Sequence, residues 1–244
     1  MLRRCLKRRL GFVKSILQPG KGKRLLDIGC GDGSFLLAAK EAGWEVAGTE
    51  LNPKPARDAG LEVAEGIEEI AQEDRFDCIT MWHTLEHMRD IRSTIARIGL
   101  LLRPDGSLII AVPDNGGFQA KLFRDKWIHI DVPRHLHHFD GRSLKYCLES
   151  SGYTIRRLWH QEFEYDLLGW SQSALNCIMP QQNIFFDCLT GKRKNHTESA
   201  TALSFVLGSA LTMLALPALA AGTLTGRGGT LVVAADHAKD FHGR

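Results

Sequence analysis

The sequence lacks the cysteine patterns that hold small secreted domains or zinc sites together. None of the six cysteines in the 244-residue chain stands in a CxxC pair, and they are spread over its length. Scattered thiols are typical of proteins in a reducing, cytosolic setting. With 44% hydrophobic residues, the chain is long enough to bury a full core. This excludes a disordered or fibrous protein and predicts one main domain with an appendage.

Acidic residues are absent from the first 24 positions, which hold nine lysines and arginines. The rest of the chain carries 22 basic and 28 acidic residues, so the net charge of +3 comes from this segment alone. Apolar residues recur within it at helical spacing, which predicts a basic amphipathic helix over 1–23. Such a helix either lies on anionic lipid or covers the main domain with its apolar stripe, and both alternatives stay open. No apolar run follows the arginines, so we expect no secretory signal.

Strand and helix patterns alternate from residue 24 onward. Short apolar runs predict six strands, at 24–28, 45–50, 61–64, 76–82, 107–112 and 153–160. Helical patterns lie among them at 35–42, 91–102 and 143–150. This alternation is typical of an α/β domain with a mainly parallel sheet. A last apolar run at 230–235 is the best candidate for a closing strand.

Three glycines follow the first predicted strand in the stretch LLDIGCGDGSF. Gly29, Gly31 and Gly33 alternate with other residues between Asp27 and the next helix. Glycine lets the backbone approach a ligand closely, and open α/β sheets bind small molecules at the carboxyl ends of their strands. The stretch therefore predicts a ligand site at this edge of the sheet. A dinucleotide is the competing ligand, but its Gly-x-Gly-x-x-Gly fingerprint would place glycine where Ser34 stands.

The LDIGCGDG stretch resembles the first motif of class I S-adenosylmethionine-dependent methyltransferases, and the resemblance spans residues 24–160. FDCITMWHTLEHM resembles their fourth-strand motif, with the LEH of the branch that includes ubiquinone-type O-methyltransferases. The resemblance implies a Rossmann-like sheet, mainly parallel with a final antiparallel strand, and S-adenosylmethionine as the cofactor. An acid at the end of the second strand would bind the ribose hydroxyls. The residues assigned to cofactor binding are Asp27, Gly29, Gly31, Gly33, Glu50 and His83.

The charges of this cofactor fit the residue types of the loop. Its sulfonium and ammonium groups are positive, which suits acids, and Asp27 is the expected anchor. Its carboxylate is negative, which suits exposed backbone N–H groups of the glycine loop. Methyl transfer is an in-line displacement in which the protein holds an acceptor atom against the methyl group and, for an oxygen acceptor, removes its proton.

His83, Glu86 and His87 form an H-x-x-E-H pattern, a spacing also found in some zinc peptidases. That motif needs a helix, whereas His83 follows a strand end, so we expect no protease site. The ubiquinone-type relatives have Glu in the place of His83 and are associated with a divalent metal, so the use of a metal stays open. The other interpretation is that Glu86 and His87 orient the loop and cap the next helix.

Histidines crowd the segment 123–144, FRDKWIHIDVPRHLHHFDGRSL. Similar PRHLHHF-type segments occur in many bacterial methyltransferases of this broad family, on the loop that lines the acceptor pocket. In an extended segment His135 and His137 share one face. Imidazole titrates near neutrality, so either is a candidate general base, and His87 is the third candidate. Arg134 is a candidate for binding a phosphate or carboxylate of the acceptor. The alternative is that these side chains only fasten the loop to the sheet.

Four segments follow from these patterns: a leading helix at 1–23, the methyltransferase domain at 24–160, an insertion at 161–229, and a last strand with a tail at 230–244. The insertion contains an uncharged run at 199–226, interrupted by Pro217. As one helix it would be about 42 Å long, against about 30 Å for the hydrocarbon core of a bilayer. Because the closing strand returns to the same sheet, a single crossing is excluded.

We therefore expect the insertion to lie in one leaflet, as a monotopic element with Lys192 and Lys194 near the headgroups. A buried helix is the alternative. The sequence then predicts a methyltransferase at the cytosolic face of the inner membrane that O-methylates a small or lipid-linked acceptor, such as a quinone, a lipid-linked sugar or a glycolipid. A non-catalytic, membrane-recruited scaffold that binds the cofactor is the competing class. Nucleic acid is not an expected partner, because no basic stripe exists beyond the N-terminal segment.

Overall fold

The computed structural model describes residues 2–191 and 196–238. They form two compact units. The sheet unit is the described part of Met1–Val112, Arg142–Leu158 and Val232–Arg244. The helical unit is the described part of Pro113–Gly141 and Trp159–Leu231. Lys192 and Lys194, the expected headgroup contacts, lie outside the described residues, as does the tail from 239 onward.

Seven strands form the sheet. They are β1 (Arg24–Ile28), β2 (Glu45–Thr49), β3 (Val63–Ala64), β4 (Phe76–Trp82), β5 (Leu102–Pro113), β6 (Tyr153–Trp159) and β7 (Thr230–His237). Their order is β3-β2-β1-β4-β5-β7-β6. The pairs β1–β2, β1–β4, β2–β3 and β4–β5 are parallel. The predicted fold, a mainly parallel sheet with an antiparallel strand near its C-terminal end, is confirmed.

The central strands are buried on both faces, which explains their almost continuous apolar sequence. Leu25, Leu26 and Leu108 are fully buried. Burial of such a side chain is worth roughly 1.5–3 kcal/mol. Strand β5 begins at Leu102, earlier than predicted, because Leu102 pairs with Phe76 ahead of a register shift. Residues 103–106 have the sequence of a turn, so the sequence does not predict this first part of β5.

The helices are numbered in chain order, and α5 belongs to the helical unit. Five helices lie mainly in the sheet unit: α1 (Leu2–Ile16), α2 (Ser34–Glu41), α3 (Lys54–Asp58), α4 (Ile91–Leu101) and α6 (Gly141–Ser150). The apolar stripe of α1 is part of the core, since Val13 is fully buried and Ile16 is 8% exposed. The helix packs against α2. Its apolar stripe therefore covers the sheet unit, whereas Arg3, Arg4 and Lys7 are exposed.

The helical unit contains α5 (Phe118–Phe123), α7 (Phe163–Ile178), α8 (Ile184–Leu189), α9 (Glu198–Leu214) and α10 (Leu216–Leu224). Helix α7 contacts each of the other four. The buried Asp166 carboxylate accepts hydrogen bonds from the Gly229 N–H at 3.0 Å and from the Thr230 hydroxyl at 2.6 Å. The Gln119 side chain donates to the backbone carbonyl of Asp166 at 2.8 Å. These bonds join residues 113–141 to the predicted insertion.

The uncharged run forms α9 and α10, and Pro217 lies in the first turn of α10. Among the described residues, no single helix combines the length and apolar character needed to cross a bilayer. Helices α9 and α10 meet those requirements only as a pair, which is bent by 44° at the break.

Candidate active site

The glycine loop joins β1 to α2, and it needs glycine for two different reasons. Gly29, Gly31 and Gly33 have φ angles of 75°, 58° and 79°, the left-handed region that disfavours other residues. A Cβ atom on Gly29 would lie 2.5 Å from the Thr84 side chain, and one on Gly33 would lie 2.4 Å from Leu61. A Cβ on Gly31 would meet no atom within 4 Å. Gly29 and Gly33 therefore permit close packing, whereas Gly31 borders open space.

Four backbone N–H groups of the loop have acceptors within the protein. Those of Gly29 and Cys30 donate to the Thr49 carbonyl at 2.8 and 3.0 Å. The Gly31 N–H donates to the Glu50 carboxylate at 2.9 Å. The Gly33 N–H donates to the Cys30 carbonyl at 3.0 Å. These four groups are thus engaged within the protein, and Glu50 fixes the loop to the end of β2.

Asp27 lies beneath the loop. It is only 3% exposed, and its carboxylate accepts a hydrogen bond from the Thr80 hydroxyl at 2.6 Å. Burial raises the pKa of Asp27 to about 7, although the bond from Thr80 and the charge of Arg9 lower it. The Arg9 guanidinium lies over the Trp82 ring, 4.9 Å from its centroid. Asp27 does not line the adjacent cavity, so its effect on a ligand there is indirect.

A cavity of about 430 Å³ opens at the carboxyl ends of β1, β2, β3 and β4. Its volume is within the range of small-molecule sites. Of the residues assigned to cofactor binding, Gly29, Glu50 and His83 line it, and so does His87. The cavity is also lined by a segment that the sequence did not predict as part of a site: Glu65, Gly66, Ile67 and Glu68. The one sequence feature that could have indicated it is its position directly after the short strand β3.

His83 has a constrained backbone. Its φ angle is 54°, and its N–H donates to the Ala111 carbonyl at 2.9 Å. Its Nδ1 atom lies 3.7 Å from a carboxylate oxygen of Glu86, which is 1% exposed. The interpretation of Glu86 and His87 as caps of the next helix is wrong. The cap of α4 is Asp90, whose side chain accepts a hydrogen bond from the Ser93 N–H at 3.0 Å.

The histidines of the segment 123–144 lie in the helical unit. From His135 to Phe139, more buried and more exposed residues alternate, as in an extended segment. The Nδ1 atom of His135 lies 2.7 Å from the His129 carbonyl. A carbonyl only accepts, so Nδ1 is the donor of this bond. His137 is half-buried, with its ring 6.2 Å from that of Phe139. Arg134 pairs with Asp131 at 2.7 Å, so binding of an acceptor would have to compete with this ion pair.

The cavity fits the charges of S-adenosylmethionine. Three acids line it, Glu50, Glu65 and Glu68, and they suit its sulfonium, its ammonium group and its ribose hydroxyls. Glu50 also lies at the end of β2, the position at which the family resemblance expects the acid for the ribose.

Comparison with known proteins agrees with this geometry. Residues 2–158 match the family model described as a methyltransferase domain. The ubiquinone biosynthesis O-methyltransferase of Xanthomonas axonopodis pv. citri is 30% identical over 145 residues, which cover 54% of this chain and 60% of the relative. That of Aromatoleum aromaticum is 36% identical over 114 residues, covering 42% and 48%. The chain thus spans about half of the relatives' length.

A solved structure of a SAM-dependent methyltransferase from Archaeoglobus fulgidus has the same fold. The match covers 96% of this chain and 93% of the Archaeoglobus fulgidus chain, with a TM-score of 0.58 and 19% identity. Because the family model matches more than half of the sequence, the chain belongs to the methyltransferase-domain family. S-adenosylmethionine is the cofactor of this class, which favours it over the dinucleotide alternative.

Proposed function

We propose that the protein transfers the methyl group of S-adenosylmethionine to an oxygen atom of a small or lipid-linked acceptor. Family membership, the acid-lined cavity and the O-methyltransferase names of the two relatives support this proposal. A quinone, a lipid-linked sugar and a glycolipid are the acceptor types that we consider. The cofactor supplies an electrophilic methyl group, and the residues of the chain orient the reactants and remove a proton.

The proposed roles follow from the environments of the side chains. Glu50 and the glycine loop hold the cofactor. His135 accepts the proton of the acceptor hydroxyl in this proposal, because in a neutral ring the bond from Nδ1 to the His129 carbonyl places the lone pair on Nε2. His137 and His87 are the other candidates for this role. No step of this scheme uses a metal.

The lipidic acceptor rests on one observation, the exposed surface of α9 and α10. Large apolar side chains are exposed there without any charged neighbour in the run 199–226. They include Leu203 at 52%, Val206 at 69%, Met213 at 67%, Leu214 at 74% and Leu224 at 87%. Exposed apolar residues that form a continuous patch mark contacts with membranes or partner proteins. We propose that this face enters one leaflet at the cytosolic face of the inner membrane, beside a lipid-soluble acceptor.

The test is to incubate the protein with methyl-labelled S-adenosylmethionine and a cell extract, and then to separate lipid from aqueous products. We expect the label in the lipid fraction. Glu50→Gln should abolish the labelling, whereas Glu62→Gln, which removes an exposed charge elsewhere, should not. Label in the aqueous fraction alone would refute the lipidic acceptor. A protein that binds the cofactor but labels neither fraction would favour the non-catalytic scaffold.

A further inference from the structure

A second cavity lies within the helical unit, between the end of α8 and the first two turns of α9, and we call it the α8–α9 cavity. Its volume is about 610 Å³, which is within the range of small-molecule sites. Its described lining residues come from these two helices and from the segment that joins them: Cys188, Gly191, His196, Glu198, Thr201, Ala202 and Phe205. None of them belongs to the glycine loop or to the segment 123–144, so the proposed methyl transfer gives this cavity no role.

The polar side chains of the α8–α9 cavity favour a positively charged ligand. The Nε2 atom of His196 lies 3.2 Å from a carboxylate oxygen of the buried Asp187, and its Nδ1 atom lies 3.1 Å from the side-chain oxygen of Gln181. Both ring nitrogens therefore already face oxygen atoms of the protein. Among the described lining residues, the exposed Glu198 then offers a negative charge, and Thr201 offers a hydroxyl one turn further along α9. These oxygens suit a charged hydrogen-bond donor such as an ammonium group.

An apolar stripe of α9 begins at the same cavity. Ala202 lines the cavity, and Val206 and Met213 follow it after four and seven residues, which places all three on one face of the helix. Val206 and Met213 are 69% and 67% exposed. From residue 202 to residue 213 the helix rises about 16 Å, close to half of a hydrocarbon core of about 30 Å. The cavity and the stripe therefore match an amphiphile with a polar head and chains one leaflet long.

We infer that the α8–α9 cavity binds the ammonium headgroup of a zwitterionic phospholipid, with Glu198 as the partner of the ammonium group and the acyl chains along the stripe. The neighbouring sequence agrees with a zwitterion, because Lys192, Arg193 and Lys194 carry the charge opposite to that of a phosphate. These three residues lie outside the described residues and are not part of the assigned lining. The inference rests on the membrane contact of the proposed function and names the lipid that this contact selects.

Three soluble probes separate the parts of this ligand. Dihexanoylphosphatidylethanolamine carries the ammonium group, the phosphate and short chains. Dihexanoylphosphatidylglycerol keeps the phosphate and the chains without the ammonium group, and phosphoethanolamine keeps the headgroup without the chains. Calorimetric titration below the micellar concentrations measures the three affinities. We expect the wild-type chain to bind the ethanolamine lipid at least about fivefold more tightly than the glycerol lipid. Phosphoethanolamine should bind at least about tenfold more weakly than its lipid, because it buries no apolar surface on the stripe.

Two variants assign the head and the chains to their partners. Glu198→Gln keeps the shape of the side chain and removes its charge, so the preference for the ethanolamine lipid should fall below about twofold. Val206→Ser should weaken both lipids by a similar factor and leave the preference unchanged, because it alters the stripe alone. A general disturbance of α9 would also weaken both lipids alike, so their ratio reports the charge. The matched control is Asp125→Asn, which removes an exposed carboxylate from the same unit and should change none of the three affinities.

The outcomes separate the inference from the proposed function. Equal binding of the two lipids by the wild-type chain, or a preference that survives Glu198→Gln, would overturn the inference. Phosphoethanolamine bound as tightly as its lipid would also overturn it, since the occupant would then be a soluble molecule. A wild-type protein that binds vesicles without any preference for a headgroup would keep the membrane contact of the proposed function and remove the inference. Binding to neither lipid and to no vesicle would refute both.

Discussion

The hydroxyl of Thr80 lies 2.6 Å from a carboxylate oxygen of Asp27, in the part of the sheet directly beneath the glycine loop. This bond joins β1 to β4 and favours the ionised form of a carboxylate that burial disfavours. Burial has the larger effect, so the pKa of Asp27 rises from 3.8 to about 7. The folded protein therefore holds a proton on Asp27 that the unfolded chain releases at lower pH.

Asp27→Asn should stabilise the protein above pH 7. Because the pKa of Asp27 is raised in the folded state, the stabilisation that comes from its protonated form is fully present below the unfolded pKa of 3.8. This contribution is lost as the pH rises through about 7. Asparagine cannot ionise, so the variant avoids this loss, and we expect it to gain about 2–4 kcal/mol at pH 8. The gain should shrink as the pH falls toward 4. Urea unfolding at both pH values measures it.

The control for this experiment is Asp58→Asn, on the exposed surface of α3. It should change stability by less than about 0.5 kcal/mol at either pH. A gain for Asp27→Asn that is equal at pH 4 and pH 8 would show that Asp27 does not titrate between these values.

Glycines of the loop should differ in their tolerance of a side chain. Gly29→Ala places a Cβ 2.5 Å from Thr84 in a left-handed conformation, so we expect a loss of about 2–4 kcal/mol in the free energy of unfolding. Gly31→Asn faces open space and should lose about 1 kcal/mol or less. Urea unfolding compares the two. Thr84→Ala in the Gly29→Ala background should restore part of the loss, and equal losses at both glycines would contradict this account.

Local sequence patterns predicted most of the sheet. Strands β1 and β4 have the predicted bounds, because each is a mainly apolar run, which at β1 ends at a glycine. Strand β3 has only two residues, too few for a period to be recognised, so the acids that follow it were not assigned to the cavity. Among the predicted site residues, Glu50 and His83 directly follow strands, and both line the cavity.

Long-range contacts explain what the sequence did not reveal. The burial of Asp27 depends on its neighbours in β4 and not on its own motif. Hydrogen bonds join residues 113–141 to the insertion. One of them links Gln119 and Asp166, two residues that are 47 positions apart in the sequence. Composition could not decide whether α1 lies on lipid or on the protein, because the same apolar stripe suits both.

His135→Gln tests the proposed base. Glutamine can still donate to the His129 carbonyl, but it cannot accept the proton of the acceptor, so turnover should fall at least about 100-fold. The affinity for S-adenosylhomocysteine should stay within twofold, since the effect is on the acceptor. Incorporation of label into the extract and calorimetric titration give the two quantities.

His138→Gln is the matched control, because His138 is an exposed neighbour that contacts the Ile130 carbonyl. Its turnover should equal that of the wild type. If His135→Gln retains full activity while His137→Gln or His87→Gln loses it, the base is one of those two histidines and our assignment is wrong.

Substitutions on α9 should separate apolar insertion from charge attraction. Val206 and Leu214 are 69% and 74% exposed, so replacing both by glutamate changes the surface without opening the core. Placing an acid in the hydrocarbon region costs a few kcal/mol, so vesicle binding that survives a high-salt wash should disappear in this variant. Leu100→Glu, a similar change at a half-exposed position of α4, should bind like the wild type.

Replacing Arg3, Arg4 and Lys7 by glutamine should weaken binding only at low salt, because their contacts with headgroups are electrostatic. A wild-type protein that never sediments with vesicles would remove the support for a lipid-linked acceptor and leave a small soluble one.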